Sequence, residues 1–166
     1  METVTIMTKK MLERRQYTDI KFTEDDKCGK KPRFIASKED DDEVTVFFIE
    51  HSKVTIQVIK SIIAITKTKH IIIIYAFSLT PDAKQSINTE SPFQFEIFSF
   101  DEMSYDPIEI VAPHKKIDNK PADWNKFPII LTSDIIARYY WFKHGDVITI
   151  NENGYTSYRK CIKIST

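Results

Sequence analysis

The stretch VTVFFIEHSKVTIQVIKSIIAITKTKHIIIIY, residues 44–75, decides the fold. Its first six residues, Val44 to Ile49, are β-branched and aromatic, dense enough for a strand covered on both faces. Ser52 can then cap a helix whose residues Val54, Ile56, Val58, Ile59, Ile62, Ile63 and Ile65 leave few polar positions. Such a helix should lie against a sheet with little of its surface wet. A second buried strand follows at His70 to Tyr75. Strand, helix and strand in that order predict a right-handed crossover joining parallel strands.

Downstream, Thr80-Pro81-Asp82 reads as a helix start: threonine at the cap, proline in the first turn, an acid near the positive end. Its place after a strand puts that turn at the C-terminal edge of the sheet. Phe93 to Phe100 alternates apolar and polar residues, so one face is buried and the other partly exposed. Upstream, Val4, Ile6, Met7, Met11 and Leu12 fall at helical spacing opposite Lys9, Lys10, Glu13, Arg14 and Arg15, which predicts an opening amphipathic helix. A polar run, Lys21 to Arg33, separates it from the short apolar run Phe34–Ala36. The acidic tract Glu39 to Glu43 reads as a solvated loop tip.

Composition shifts after residue 100, where Met103 to Lys126 carries Pro107, Pro113 and Pro121 among polar residues. The second module opens with the apolar stretch Ile108 to Val111. Ser133 or Asp134 can cap a short helix over Ile135 to Tyr140, closed off by Gly145. Val147–Ile150 and Tyr155–Ile164 read as strands joined by Asn153-Gly154, the strongest two-residue hairpin signal. The chain therefore reads as mixed α/β or α+β, with an N-terminal module over residues 1–100 and a small α+β module over 101–166.

Hydrophobic residues make up 42% of the 166, enough to fill such cores. The 24 basic residues balance 24 acidic ones, so no net field draws the chain to phosphate, and a larger basic partner would have to bring it to DNA. Cys28 and Cys161 lack the spacing of a disulfide scaffold or a zinc site, which fits a reducing compartment. METVTIMTKKML lacks the apolar core of a signal peptide, and the isoleucine-rich stretches are too short to span a bilayer, so a soluble intracellular protein is expected.

Three stretches, in order, resemble the small fifth subunit shared by the eukaryotic nuclear RNA polymerases. Residues 44–62 look like the strand and helix of that subunit's jaw module. SLTPDAKQSI, residues 78–87, is similar to its Thr-Pro-x-Ala-Lys-x-Ser segment. IIARYYWFKHGDVITI followed by YTSYRKCI resembles the C-terminal signature that the family shares with its small archaeal RNA polymerase counterpart, in which Ala-Arg-Tyr-Tyr leads into a Lys-x-Gly turn. Departures accompany the likeness: Ile135 stands where proline is usual, Trp141 where glycine is common, and His144 where a basic residue is usual. The hairpin is shorter than usual, Ile117 to Phe127 is too short for the customary helix, and the N-terminal region is abbreviated. An isoleucine- and lysine-heavy chain with compact loops would suit a divergent member encoded by a large DNA virus or a protist.

The resemblance implies a nuclease-like α/β jaw module flanking downstream DNA and a C-terminal module that docks on the largest polymerase subunit among the other core subunits. It implies no catalysis by this chain, no cofactor, no metal, no membrane and no homo-oligomer. Location would be the nucleus for a cellular enzyme, and the host cytoplasm, virus factory or virion for a viral one. Ser78, Leu79, Thr80, Pro81 and Lys84 would face DNA, since helix-start amides and one lysine can hold a phosphate without reading sequence. Arg138, Tyr139, Tyr140, Trp141, Phe142 and Arg159 would form the largest-subunit interface. Consecutive aromatics are favoured anchors at permanent interfaces, and Trp141 is the preferred exposed one, because glycine in its place implies room.

Two other classes share parts of the pattern. A metal-dependent nuclease would use Asp82-x-Lys84 with Glu50, but that chemistry needs the acid and lysine on neighbouring strand positions, whereas Pro81 marks a helix start. A free-standing transcription adaptor shares every feature except constitutive assembly. His51, His70, His114 and His144 lack ligand spacing, and His114, near a Val-Pro-x-His position of the family, reads as a hydrogen-bonded structural residue. With three glycines there is no phosphate-cradling loop.

Overall fold

The amphipathic N-terminal spacing folds as helix α1, Glu2–Arg14, which buries Val4, Thr8, Met11 and Leu12. The structure, a computed structural model, describes residues 1–23, 34–39, 42–90 and 92–164, so most of the predicted polar run, together with Asp40 and Asp41 of the acidic tract, lies outside the described residues. The described residues form a mixed α+β chain with four α-helices and two mixed sheets. They divide into two compact units, Met1–Tyr105 and Asp106–Thr166.

In the first unit, β1 (Asp19–Phe22) and β2 (Phe34–Ser37) precede β3 (Glu43–Ile49), α2 (Ile56–Ile65), β4 (His70–Tyr75), α3 (Pro81–Thr89) and β5 (Gln94–Ser99). The strands lie in sequence order. The first pairings, β1 with β2 and β2 with β3, are antiparallel, whereas β3, β4 and β5 run parallel through α2 and α3. The strand–helix–strand reading of residues 44–75 is thus the observed one. Side chains alternate across a strand, so Phe47, Ile49, Ile71 and Ile73 share one face, where they pack with Ile59 and Ile62 of α2 and Ala83 and Ile87 of α3. Val44, Val46, Phe48, Ile72, Ile74 and Phe98 are buried on the other.

Two local expectations change. The cap of α2 is Thr55, whose hydroxyl accepts from the Val58 amide, not Ser52. Val54, instead of opening the helix, forms an isolated parallel bridge to Leu79. The helix is also wetter than its isoleucines suggest: only Ile59 and Ile62 are buried, and Ile65 is 51% exposed. A helix laid on one sheet buries one stripe, and seven apolar residues exceed the width of that stripe.

The second unit holds β6 (His114–Ile117), β7 (Ile129–Leu131), α4 (Ile135–Tyr139), β8 (Val147–Glu152) and β9 (Tyr155–Ile162). Their sheet order is β6-β8-β9-β7, with only the β7–β9 pairing parallel. The hairpin turns at Asn153 and Gly154, both at positive φ (50° and 84°), the type I′ geometry that Asn-Gly favours. The apolar run Ile108–Val111 forms no strand: a 3-10 turn covers Pro107–Glu109, and Ile110 is 71% exposed. Asp134 caps α4 through the Ile136 amide at 2.8 Å.

Candidate functional site

The turn predicted to face DNA sits where the two crossover loops meet, beyond the C-terminal ends of the parallel strands. The Val54 amide donates to the Ser78 carbonyl at 2.9 Å, and the Thr80 amide to the Val54 carbonyl at 3.0 Å, which ties the loop after β3 to the loop after β4. Thr80 caps α3 by accepting from the Ala83 amide at 3.3 Å, and Pro81 opens the first turn. Ser78, Leu79 and Thr80 are half-buried, with Leu79 packed on the core, whereas Pro81 and Lys84 are exposed. The same edge carries exposed His51, Ser52, Lys53 and Asp82, and Phe77 is 65% exposed beside Ser78. Its chemistry is that of a rigid, mixed-charge rim with two lysines projecting from it. Asp82 and Lys84 both belong to α3, not to neighbouring strand positions.

The aromatic run divides by burial. Tyr139 is 2% exposed and Phe142 8%, while Tyr140 and Trp141 are half-buried. Phe142 packs with Ala137, Ile148 and Cys161, and Tyr140 lies against that cluster, stacked on Phe142 with centroids 5.2 Å apart. Trp141 ends α4: its φ is 60°, its amide donates to Arg138 O at 3.0 Å, and the Phe142 amide donates to Ala137 O at 2.8 Å. These paired bonds are a Schellman cap with Trp141 in the left-handed position that glycine usually fills. Gly145, expected to close the helix, instead has φ 87° in the turn before β8. Position 141 thus carries a backbone geometry that glycine adopts without strain. Lys143 Nζ stands 2.8 Å from the Trp141 ring centroid, which favours the half-buried indole electrostatically.

Arg138 is half-buried in the last turn of α4. Arg159, on β9, donates from Nη1 to the Tyr158 carbonyl at 2.9 Å and lines a cleft wholly within the second unit. His114 lines the same cleft, with Nδ1 2.7 Å from Ala112 O, in keeping with a hydrogen-bonded structural role.

One cluster had no signal in the sequence. Arg15, just past α1, holds Glu96 of β5 through both guanidinium ends, Nη1 to Oε1 and Nη2 to Oε2, each at 2.7 Å. His70 Nε2 lies 2.7 Å from Glu96 Oε1, and Tyr17 Oη is 3.4 Å from His70 Nδ1 and 3.3 Å from Asp42 Oδ2. Burial alone would raise the Glu96 carboxyl, but the charge of Arg15 and the hydrogen bonds from His70 and Arg15 hold it below the usual carboxylate range. Burial, followed by the charge of Asp42, pushes the Tyr17 hydroxyl above its ordinary value. The alternation expected of β5 is inverted: Phe95 and Ile97 are half-buried, and the more buried face carries the acid Glu96 beside Phe98. The distant Arg15, with His70, makes that tolerable.

Among the described residues, no three His, Cys, Asp or Glu side chains come together as a metal site, and no helix is long and apolar enough to cross a membrane. No protein-family model and no curated protein matches the chain.

Proposed function

We propose that this chain is a non-catalytic subunit of a multisubunit DNA-dependent RNA polymerase, similar to the fifth subunit of the nuclear enzymes. Its second unit docks on the largest subunit, and its first unit serves as a nuclease-like jaw flanking downstream DNA. The observation that carries the reading is the end of α4. Ala137-Arg138-Tyr139-Tyr140 leads into a left-handed residue at 141, and glycine is common there in the resembling signature. A divergent sequence that keeps a backbone geometry after losing its glycine supports descent from that signature.

The capped turn at Thr80-Pro81 supports the jaw reading. It places Lys84 and Lys53 on an exposed rim where weak, sequence-independent phosphate contacts of about 1 kcal/mol each are feasible. The half-buried Tyr140 and Trp141 suit anchors that a large neighbour covers further.

Affinity purification of tagged protein at high salt, followed by mass spectrometry, tests the assignment. The two largest polymerase subunits should be retained in fixed stoichiometry. Their loss on washing would favour a free-standing adaptor and discard the subunit reading. Incubating the purified chain with duplex DNA and magnesium or manganese tests the nuclease alternative, which cleavage abolished by Asp82→Asn would establish.

A further inference from the structure

The β8–β9 register places Ile148 opposite Arg159 and Ile150 opposite Ser157, while β6 sets His114 opposite Ile150 and β7 sets Ile130 opposite Cys161. Directly opposed residues share a face, so Ile130, Ile148, Cys161, Ile150, His114 and Arg159 all lie on one side of the second sheet. Only part of that face is covered: Ile148 and Cys161 are fully buried in the cluster that includes Ala137 of α4, whereas Ile130, Ile150, His114 and Arg159 are half-buried. Those four, with Ser133, Asp134 and the rest of β7, line a cleft of about 420 Å³.

The lining has two features of a peptide-binding groove. One wall is a sheet edge: β7 is three residues long and, among the described residues, pairs on one side only, and Ile129 is 56% exposed. Since the Lys160 amide donates to Pro128 O and the Thr132 amide to Ile162 O, alternation turns the Ile129 amide and carbonyl away from β9. The second feature is charge. Arg159 has five N–H donors, its one bond is to the carbonyl of its own neighbour, and among the described residues it has no carboxylate partner. A guanidinium held on a stiff strand beside apolar side chains is built to take a carboxylate in two parallel bonds.

We infer that this cleft is a docking site for an extended segment of a partner polypeptide bearing a glutamate or aspartate next to a β-branched residue. The acid pairs with Arg159, the apolar side chain packs on Ile130, and the segment's backbone lies along the free edge of β7. That the segment belongs to the largest polymerase subunit rests on the proposed function; the chemistry of the cleft does not.

The test is a titration of the full-length, isotope-labelled protein, followed by amide NMR, with two end-blocked pentapeptides: alternating valine and glutamate, and alternating valine and lysine. The glutamate peptide should cause saturable shifts at Ile130, Ile150 and Arg159. Arg159→Met should weaken it by at least about tenfold, as for loss of a charged hydrogen-bonded pair. Arg159→Lys, which keeps the charge and stem but not the fork, should fall between. Absence of saturable shifts at those amides, equal binding of the lysine peptide, or an unchanged affinity in both variants would overturn the cleft. No polymerase is present, so that failure leaves the subunit assignment standing. Peptide binding without retention of the polymerase subunits would remove the assignment and leave the cleft.

Discussion

Replacing Arg15 with methionine should destabilise the first unit more than any change on its surface. The Arg15 and Glu96 side chains are 2% and 4% exposed, and the pair is bidentate at 2.7 Å, so the variant leaves a buried carboxylate with only His70 to compensate. Breaking such a pair from one side costs about 3–5 kcal/mol. With a urea dependence of about 2 kcal/mol per molar, the midpoint should fall by roughly 1.5–2.5 M. Far-UV circular dichroism against urea reads this for the whole chain, while fluorescence from Trp124 and Trp141 follows the second unit alone. Arg15→Met combined with Glu96→Met should recover more than half of the loss, because the penalty is the unpaired charge. A midpoint shift below about 0.5 M in the single variant, or a double variant as unstable as the sum of the two singles, would refute the reasoning. The pH dependence has a definite sign. Glu96 is depressed in the folded state, so its contribution is complete above the unfolded carboxyl value of about 4.3 and is lost as pH falls through the lower folded value. Glu96→Gln should flatten the stability profile over that acid window.

Trp141→Gly should be more stable than Trp141→Ala by about 1 kcal/mol in thermal unfolding, the reverse of the order inside a helix, because, of the two, glycine alone adopts φ near 60° without strain. Cys161 is fully buried, and burial with the nearby charges of Asp146 and Asp134 pushes its thiol up to about 11. In a Cys28→Ser background, iodoacetamide at pH 8 should therefore leave the native protein unlabelled and modify it only in denaturant. Lys84→Glu should preserve copurification with polymerase subunits yet reduce crosslinking to downstream DNA and its salt dependence; unchanged crosslinking removes Lys84 from the DNA path.

Residues 44–75 were legible because each element is written in a period of its own: a β-branched run, a helical isoleucine pattern, then a second β-branched run. The Asn153-Gly154 turn and the Thr80-Pro81 start were legible for a different reason, since each is a local backbone demand met by residues suited to it. What escaped the sequence was non-local. Glu96 occupies the polar position of an alternating strand and reads as solvent-facing; its true environment is fixed by Arg15, 81 residues away. Trp141 shows a related limit, because its large side chain gives no hint of the left-handed backbone angle that it supplies to the cap of α4. Ser52 and Thr55 offer equivalent hydroxyls, and the choice between them came from the tertiary bridge of Val54 to Leu79.

The placement of charge also bears on whether the first unit could act chemically. A general base or metal ligand needs a desolvated carboxylate with at least one oxygen directed at open space. Glu96 is a buried carboxylate of the first unit, and both its oxygens are engaged, Oε1 by Arg15 and His70 and Oε2 by Arg15. Asp82, at the rim where a substrate could approach, is exposed on a helix beside Lys84. The buried carboxylate is thus turned inward to join α1 to the sheet, and the accessible one is exposed on α3. That division is in keeping with the non-catalytic role proposed above, and it makes Glu96→Gln a discriminating variant. In a scaffold it should lower stability while leaving polymerase retention at permissive temperature unchanged. Loss of a measurable reaction with native stability intact would contradict the argument.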